Sequence, residues 1–185
     1  MLSILDQIER SLDSDLYYLA LFGALTIPDI AGALEAADGR ATGDRYKDWY
    51  EKWVRPRFKE DVQRQLAERG ITDILPQLEN PLTGDACYRF RCSLLHQGRT
   101  QDPKSPYSRI IFIEPGVTTN VVHYGVMNDA LCIEVPSFCH EVVAGSKLWL
   151  HSVEGTEPYD TNNDRFVRRY DSGLAPYIVG VPVIG

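Results

Sequence analysis

The chain has 185 residues, with 19 Lys and Arg against 26 Asp and Glu, and a formal net charge of −7. That length suits one domain, or one domain with an arm, and lets it bury about two-thirds of its unfolded surface without a metal or disulfide staple. Apolar residues at 44% and charged residues at 24% exclude a disordered chain, and the acidic balance argues against gripping nucleic acid by bulk positive charge.

Leu2, Leu5, Ile8, Leu12, Leu16 and Leu19 recur at intervals of three and four, with Asp6, Glu9, Arg10, Asp13 and Asp15 between them. That pattern predicts an amphipathic helix with one buried stripe. From Leu19 to Leu25 it turns apolar nearly all round, so its end is expected to be deeply buried. The longest apolar stretch, Leu16 to Ile27, is about half of what a bilayer needs, so no membrane span is expected. The first turns lack the basic segment of a signal peptide, and a cytoplasmic protein is expected. Thr26-Ile27-Pro28-Asp29 reads as the start of a second, short helix with Pro28 in its first turn, ending near Ala37 before Asp38-Gly39.

Asp44 to Arg69 is helical again, with Tyr46, Trp49, Tyr50 and Trp53 on one stripe and Val62 and Leu66 continuing it. Pro56 is expected to break it after Val54, and Gly70 to end it. Those four aromatics suit a core or a dimer interface, or a platform on which bases stack. A loop from Asn80 leads to a helix from Gly84 to Gln97, stopped by Gly98, and Gln101 to Ser108 is a loop. Ile110–Ile113, Val121–Tyr124 and Ala130–Ile133 are β-rich and read as a small antiparallel hairpin or meander inserted near 110–134. Pro136 opens a last helix through Leu150.

The fold expected is mainly α: a helical bundle over 1–154 with the β insertion, then an irregular arm over 155–185. The arm's closing run, Tyr177-Ile178-Val179-Gly180-Val181, is too apolar for a free tail and is expected to dock on its own or a partner subunit. Cys87, Cys92, Cys132 and Cys139 form no CxxC and read as reduced, buried thiols, with a zinc site using the Cys139-His140 pair as the minor alternative. The charge is uneven: residues 1–39 sum to −6, 40–109 to +4 and 110–185 to −5. The mildly basic middle carries the one candidate site, and ordinary solvated helix faces would look the same.

That site lies in Cys87-Tyr88-Arg89-Phe90-Arg91-Cys92-Ser93-Leu94-Leu95-His96-Gln97-Gly98. On a helix, Arg91 and His96 stand about 140° and about 7.5 Å apart, and unwinding at Gly98 would let the long Arg side chain reach the imidazole. The pair has a clear chemical use. An imidazole moves protons near neutral pH, and a guanidinium grips phosphate oxygens with paired hydrogen bonds. Together they could cleave RNA without a metal. Tyr88, Arg89, Ser93, Arg99 and Lys104 are candidate substrate contacts. The plainer alternatives are a C-capping His with Arg91 paired to a carboxylate, or a site that binds without turnover.

Arg-x4-His followed closely by Gly, at the end of a helix in a small helical domain, resembles the signature of the HEPN superfamily. The resemblance implies a bundle of four or more helices. It also implies metal-independent RNase activity, or a non-catalytic RNA- or nucleotide-binding module in a defence or regulatory system. It assigns Arg91 and His96 as the active pair, calls for no cofactor, and implies a homodimer and an antitoxin-like partner. Cys92 stands where the family's RNases commonly carry Asn, Asp or His after the Arg, with Ser93 as the nearest polar neighbour. Ser93 or Ser137 with His96 or His140 lacks a GxSxG elbow, and no GxxxxGK[ST], GxGxxG or HExxH is present. Asp29 and Glu35 read as surface carboxylates, or less simply as members of the site.

Overall fold

The computed structural model describes residues 1–68, 70, 79–101, 104–116 and 123–185, with the side chains of residues 65 and 66 left aside. The fold is mainly α with a small β insertion. Helix α1 (Leu2–Asp13) buries Leu5, Ile8 and Leu12 of the expected stripe, while Leu2, Leu16 and Leu19 are exposed, the last two because the helix ends before them. The chain turns at Ser14–Leu16, where Asp15 takes a left-handed conformation at φ 57°. Asp tolerates that region because its short side chain bonds locally, and here its carboxylate accepts the Tyr17 hydroxyl at 2.6 Å. Helix α2 (Tyr17–Leu34) then folds back, with Gly23 facing Ile8.

The break and the restart differ from expectation. The first helix does not run through Leu25, and Thr26–Pro28 does not open a new one. Pro28 lies inside α2 and is buried with Ile27 and Ala31. A proline there removes one helical hydrogen bond, but burial of an apolar helix on several sides outweighs that loss. α2 is also, among the described residues, the one helix long and apolar enough to cross a membrane by length and composition, and half of it is buried within this fold.

Thr42 caps helix α3 (Gly43–Trp53) by accepting the Arg45 N–H at 3.2 Å. Val54 separates it from helix α4 (Arg55–Glu68), as Pro56 foretold. The expected helix end at Arg69 and the side chain of Leu66 lie outside the described residues. Tyr46, Trp49 and Tyr50 are core residues, with Trp49 edge-on to Trp149 at 5.8 Å, so they offer no base-stacking platform. Helix α5 (Gly84–Gln97) starts on a Thr83 cap and ends on Gly98, left-handed at φ 64°. Gly98 N–H bonds the Leu94 carbonyl and Arg99 N–H the Ser93 carbonyl, closing the last turn.

Strands β1 (Arg109–Ile113), β2 (Gly125–Met127) and β3 (Ala130–Glu134) form one sheet in the order β1-β3-β2. β2 and β3 are the antiparallel hairpin expected, turned by Asn128-Asp129 at positive φ. β1, however, joins β3 in parallel, so the sheet is mixed rather than a meander. Ile110 and Leu131 are buried, and parallel pairing puts both against the bundle. Of the strand expected at 121–124, residues 121 and 122 lie outside the described set, and His123 and Tyr124 precede β2. Helix α6 (Val135–Val153) follows directly, and the short α7 (Tyr159–Asn163) donates Asn162 Nδ2 to the Leu34 and Ala36 carbonyls at 3.0 and 2.8 Å, capping α2 from outside.

The arm then pairs with itself. β4 (Arg169–Tyr170) lies against β7 (Val183–Ile184), and β5 (Gly173–Leu174) against β6 (Ile178–Val179). Its apolar run is not covered by this chain: Tyr177 is 81% exposed and Val179 73%.

Among the helix glycines, Gly145 is packed most tightly, where α6 meets the α3–α4 junction. A Cβ on Gly145 would sit far inside van der Waals contact with the Trp53 carbonyl. Backbone cannot give way as a side-chain end can, so Gly145→Ala should cost at least about 1–3 kcal/mol, read as a lowered denaturation midpoint.

Candidate functional site

Two elements build the site. α5 carries Arg91 near its middle and His96 at its end, and α2 carries Asp29. Arg91 Nη1 lies 2.8 Å from His96 Nε2, and Arg91 Nη2 lies 2.6 Å from Asp29 Oδ2. The five-residue spacing is bridged by the length of the Arg side chain, with the helix still intact through Gln97. Arg91 and Asp29 are each 18% exposed in their side chains, while His96 is open to solvent.

The first contact fixes a protonation state. A guanidinium has only donors, so His96 Nε2 must accept. The imidazole facing Arg91 is therefore neutral, with its proton on Nδ1. Burial pushes the Asp29 carboxyl up from its ordinary value, and the Arg91 charge pulls only part of the way back. For Arg91, burial is the largest effect and opposes the charged form, and Asp29, Cys92 and Tyr46 together outweigh it. Arg91 Nε is buried without an aligned partner, so its guanidinium is not saturated.

Asp29 belongs to this site and not to the plain surface, which corrects the simpler reading of its position. It is the single charged residue in the 18 residues of α2. A lone carboxylate on a buried apolar helix needs a cation, and that signal was present in the sequence. Glu35 lies beyond the helix, at its C-cap.

The other residues singled out divide. Tyr88 stands one turn before Arg91 and Cys92. Its hydroxyl bonds the Cys92 thiol, which raises the phenol's proton affinity, and its ring packs on Tyr46 at 5.3 Å. Arg89 pairs with Asp85 at 2.6 Å. Ser93 faces away, into a small gap with Phe90, Thr100 and Ser105. Arg99 and Lys104 are on the exposed loop after α5. Geometry thus joins Arg91 and His96, adds Asp29, keeps Tyr88 adjacent and separates Ser93. Cys87, Cys132 and Cys139 are buried thiols, and burial pushes those of Cys87 and Cys139 up to about 12. Among the described residues no group of three or more His, Cys, Asp or Glu could hold a metal ion.

A second polar cluster was missed. Glu141 on α6 is 3% exposed and accepts the Tyr124 hydroxyl at 2.6 Å, and His123 Nε2 lies 3.3 Å from its other oxygen. His123 Nδ1 accepts the Glu134 N–H at 3.0 Å, so the ring is neutral there and Nε2 donates to Glu141. Tyr124 holds φ 62°, a strained conformation for a bulky residue. Tyr50 and Asn80 border the cluster, and the Tyr50 hydroxyl and Asn80 Nδ2 are buried without an aligned partner. Glu141 falls on the same stripe as Phe138, Val142 and Gly145, so its burial was readable from spacing.

No family model, curated protein or solved structure matches this chain.

Burial raises the proton affinity of Glu141, against the pull of His123 and Tyr124. The native chain then takes up this proton at a higher pH than the unfolded one. Stability from this group grows as pH falls through the raised value toward the ordinary 4.5, and is lost as pH rises through it. Denaturation of wild type and Glu141→Gln at about pH 7 and about pH 5 tests the sign. Wild type should gain stability relative to the variant on acidification; a pH-independent gap would refute the raised affinity.

Proposed function

We propose that this chain is a metal-independent endoribonuclease of the HEPN kind, acting through Arg91 and His96. The observation that carries the reading is the 2.8 Å contact between the Arg91 guanidinium and a neutral, solvent-facing His96 Nε2. It supplies a base and a phosphate clamp at one point.

The chemistry follows from those two groups. His96 Nε2 takes the proton of a ribose 2′-hydroxyl, and the 2′-oxygen attacks the adjacent phosphorus. The bond to the 5′-oxygen breaks, and that oxygen leaves with a proton from water. Products are a 2′,3′-cyclic phosphate and a 5′-hydroxyl. The imidazolium formed on the way sits at the C-terminus of α5, where the helix dipole favours a cation. Arg91 has more donors than its two present partners use. Asp29 holds one edge of the guanidinium in place while the rest turns to the phosphate oxygens, whose charge grows in the transition state. Arg99 and Lys104 add positive charge along the strand's path. Four free thiols agree with a cytoplasmic setting.

A second reading is favoured by the Asp29 contact itself. At 2.6 Å this carboxylate neutralises Arg91, as a site that binds a nucleotide without turnover tolerates better than one that must stabilise a dianionic phosphorane. The two readings separate on one variant. If the protein is an RNase, His96→Ala should lower the cleavage rate about 10²- to 10⁴-fold with little change in melting temperature, because His96 is exposed. EDTA should not inhibit. If it only binds, neither protein cleaves, and Arg91→Ala removes the thermal stabilisation given by a nucleotide. Cleavage that survives His96→Ala overturns the assignment.

Arg91→Lys keeps the charge but loses the fork that meets Asp29, His96 and phosphate at once. It should fold, keep the Asp29 ion pair and lose most turnover, measured as kcat at saturating RNA. Arg91→Ala should in addition lower stability, since Asp29 is left half-buried without a cation.

A further inference from the structure

We infer that the groove between α2, α5 and β1 receives the C-terminal arm of a second copy of this chain. The inference stands apart from the RNase reading, because it uses neither Arg91 nor His96.

The groove holds about 260 Å³ and is lined by Tyr18 and Phe22 of α2, Phe90 and Leu94 of α5, and Ile111 and Phe112 of β1. Its rim is apolar surface in water: Tyr18 is 75% exposed and Ile111 40%. A soluble chain leaves such a contiguous patch for a partner. The floor has backbone to offer as well. Among the described residues β1 pairs on one side only, with β3. Ile110 turns its N–H outward to the Thr100 carbonyl, so the two-residue period of a strand turns the Phe112 backbone to the same open edge.

The occupant is identified by the chain's other uncovered apolar element. Tyr177, Ile178, Val179, Val181 and Ile184 are all at least half exposed on an arm that is already extended. It has the form that fits a strand edge with pockets for alternate side chains. The chain's own arm does not occupy the groove, and no residue beyond Val135 lines it. The arm leaves from α7, which caps the C-terminal end of α2 through Asn162, and Arg168 lies near the amino group of Met1. The groove is at the opposite end of α2, about 26 Å away at 1.5 Å per residue. Two copies related by a two-fold axis, with the groove end of one facing the arm end of the other, bring each arm to the other's groove. That exchange closes on itself, so it yields a dimer and not a filament. Two such contacts double the covered area, toward the size of a stable interface.

The test uses the full chain and its mass in solution by light scattering. Wild type should be a dimer. Ile178→Asp/Val181→Asp in the arm and Tyr18→Asp/Phe22→Asp in the groove should each halve the mass, with circular dichroism unchanged. An equimolar mixture of the two variants keeps one intact arm and one intact groove, and should recover a weaker heterodimer. A wild-type monomer overturns the inference. So does a groove variant that stays dimeric, since arm-on-arm pairing would then be the contact. So does a mixture that stays monomeric. If the double groove variant does not fold, Ile111→Lys, at a position 40% exposed, gives the same readings.

Discussion

An 18-residue helix with one charge cannot stand in water, and the rest of this structure answers that constraint. α2 is covered by α1 on one side, α3 and α6 on others, and α5 toward its middle. Ala20, Ala24, Leu25, Ile27 and Ala31 are buried in full or nearly so. The small residues let neighbours come close, and at Gly145 against Trp53 and Gly84 against Lys47 there is no room for a Cβ, which seats α6 and α5 on α3 in turn. The core therefore grows around α2 rather than around the sheet, and the sheet serves as a ledge between α5 and α6.

The same constraint places the candidate site. Asp29 is the one group on α2 that burial cannot simply absorb. Its partner has to come from another element, and Arg91 of α5 meets it at 2.6 Å. Arg91 is thereby held at the depth and angle from which its other amino group reaches His96. The neutral imidazole, the oriented guanidinium and the half-buried carboxylate are one arrangement, set by the need to pair a charge on an apolar helix. Where α2 is not covered, at Tyr18, Leu19 and Phe22, the constraint goes unanswered within one chain, which is the physical ground for a partner at the groove.

Much of the fold was legible in local patterns. The α1 stripe, the break at Val54 before Pro56, the Thr83-to-Gly98 limits of α5 and the Asn128-Asp129 hairpin turn all rest on chemistry within a few residues. The misreadings share one cause. Thr26-Ile27-Pro28 carries the marks of a helix start, yet burial on several sides carried the helix through it. The true break, at Asp15, needed only a short side chain that tolerates left-handed backbone. β1 pairs in parallel with β3 although it looks like the first strand of a meander, because partner choice in a sheet depends on which faces the bundle can cover.

The sequence by itself determined the mainly helical class, the element that carries Arg91 and His96, and the existence of an apolar arm, because periodicity, caps and composition act over short range. Tertiary structure alone decided that Asp29 joins Arg91, that the aromatic stripe of α3 is core, and that Glu141, His123 and Tyr124 form one buried network. Each of these joins residues tens of positions apart. A buried charge is neutralised by whatever opposite or polar group packing brings to it, and only the packed chain shows which group that is.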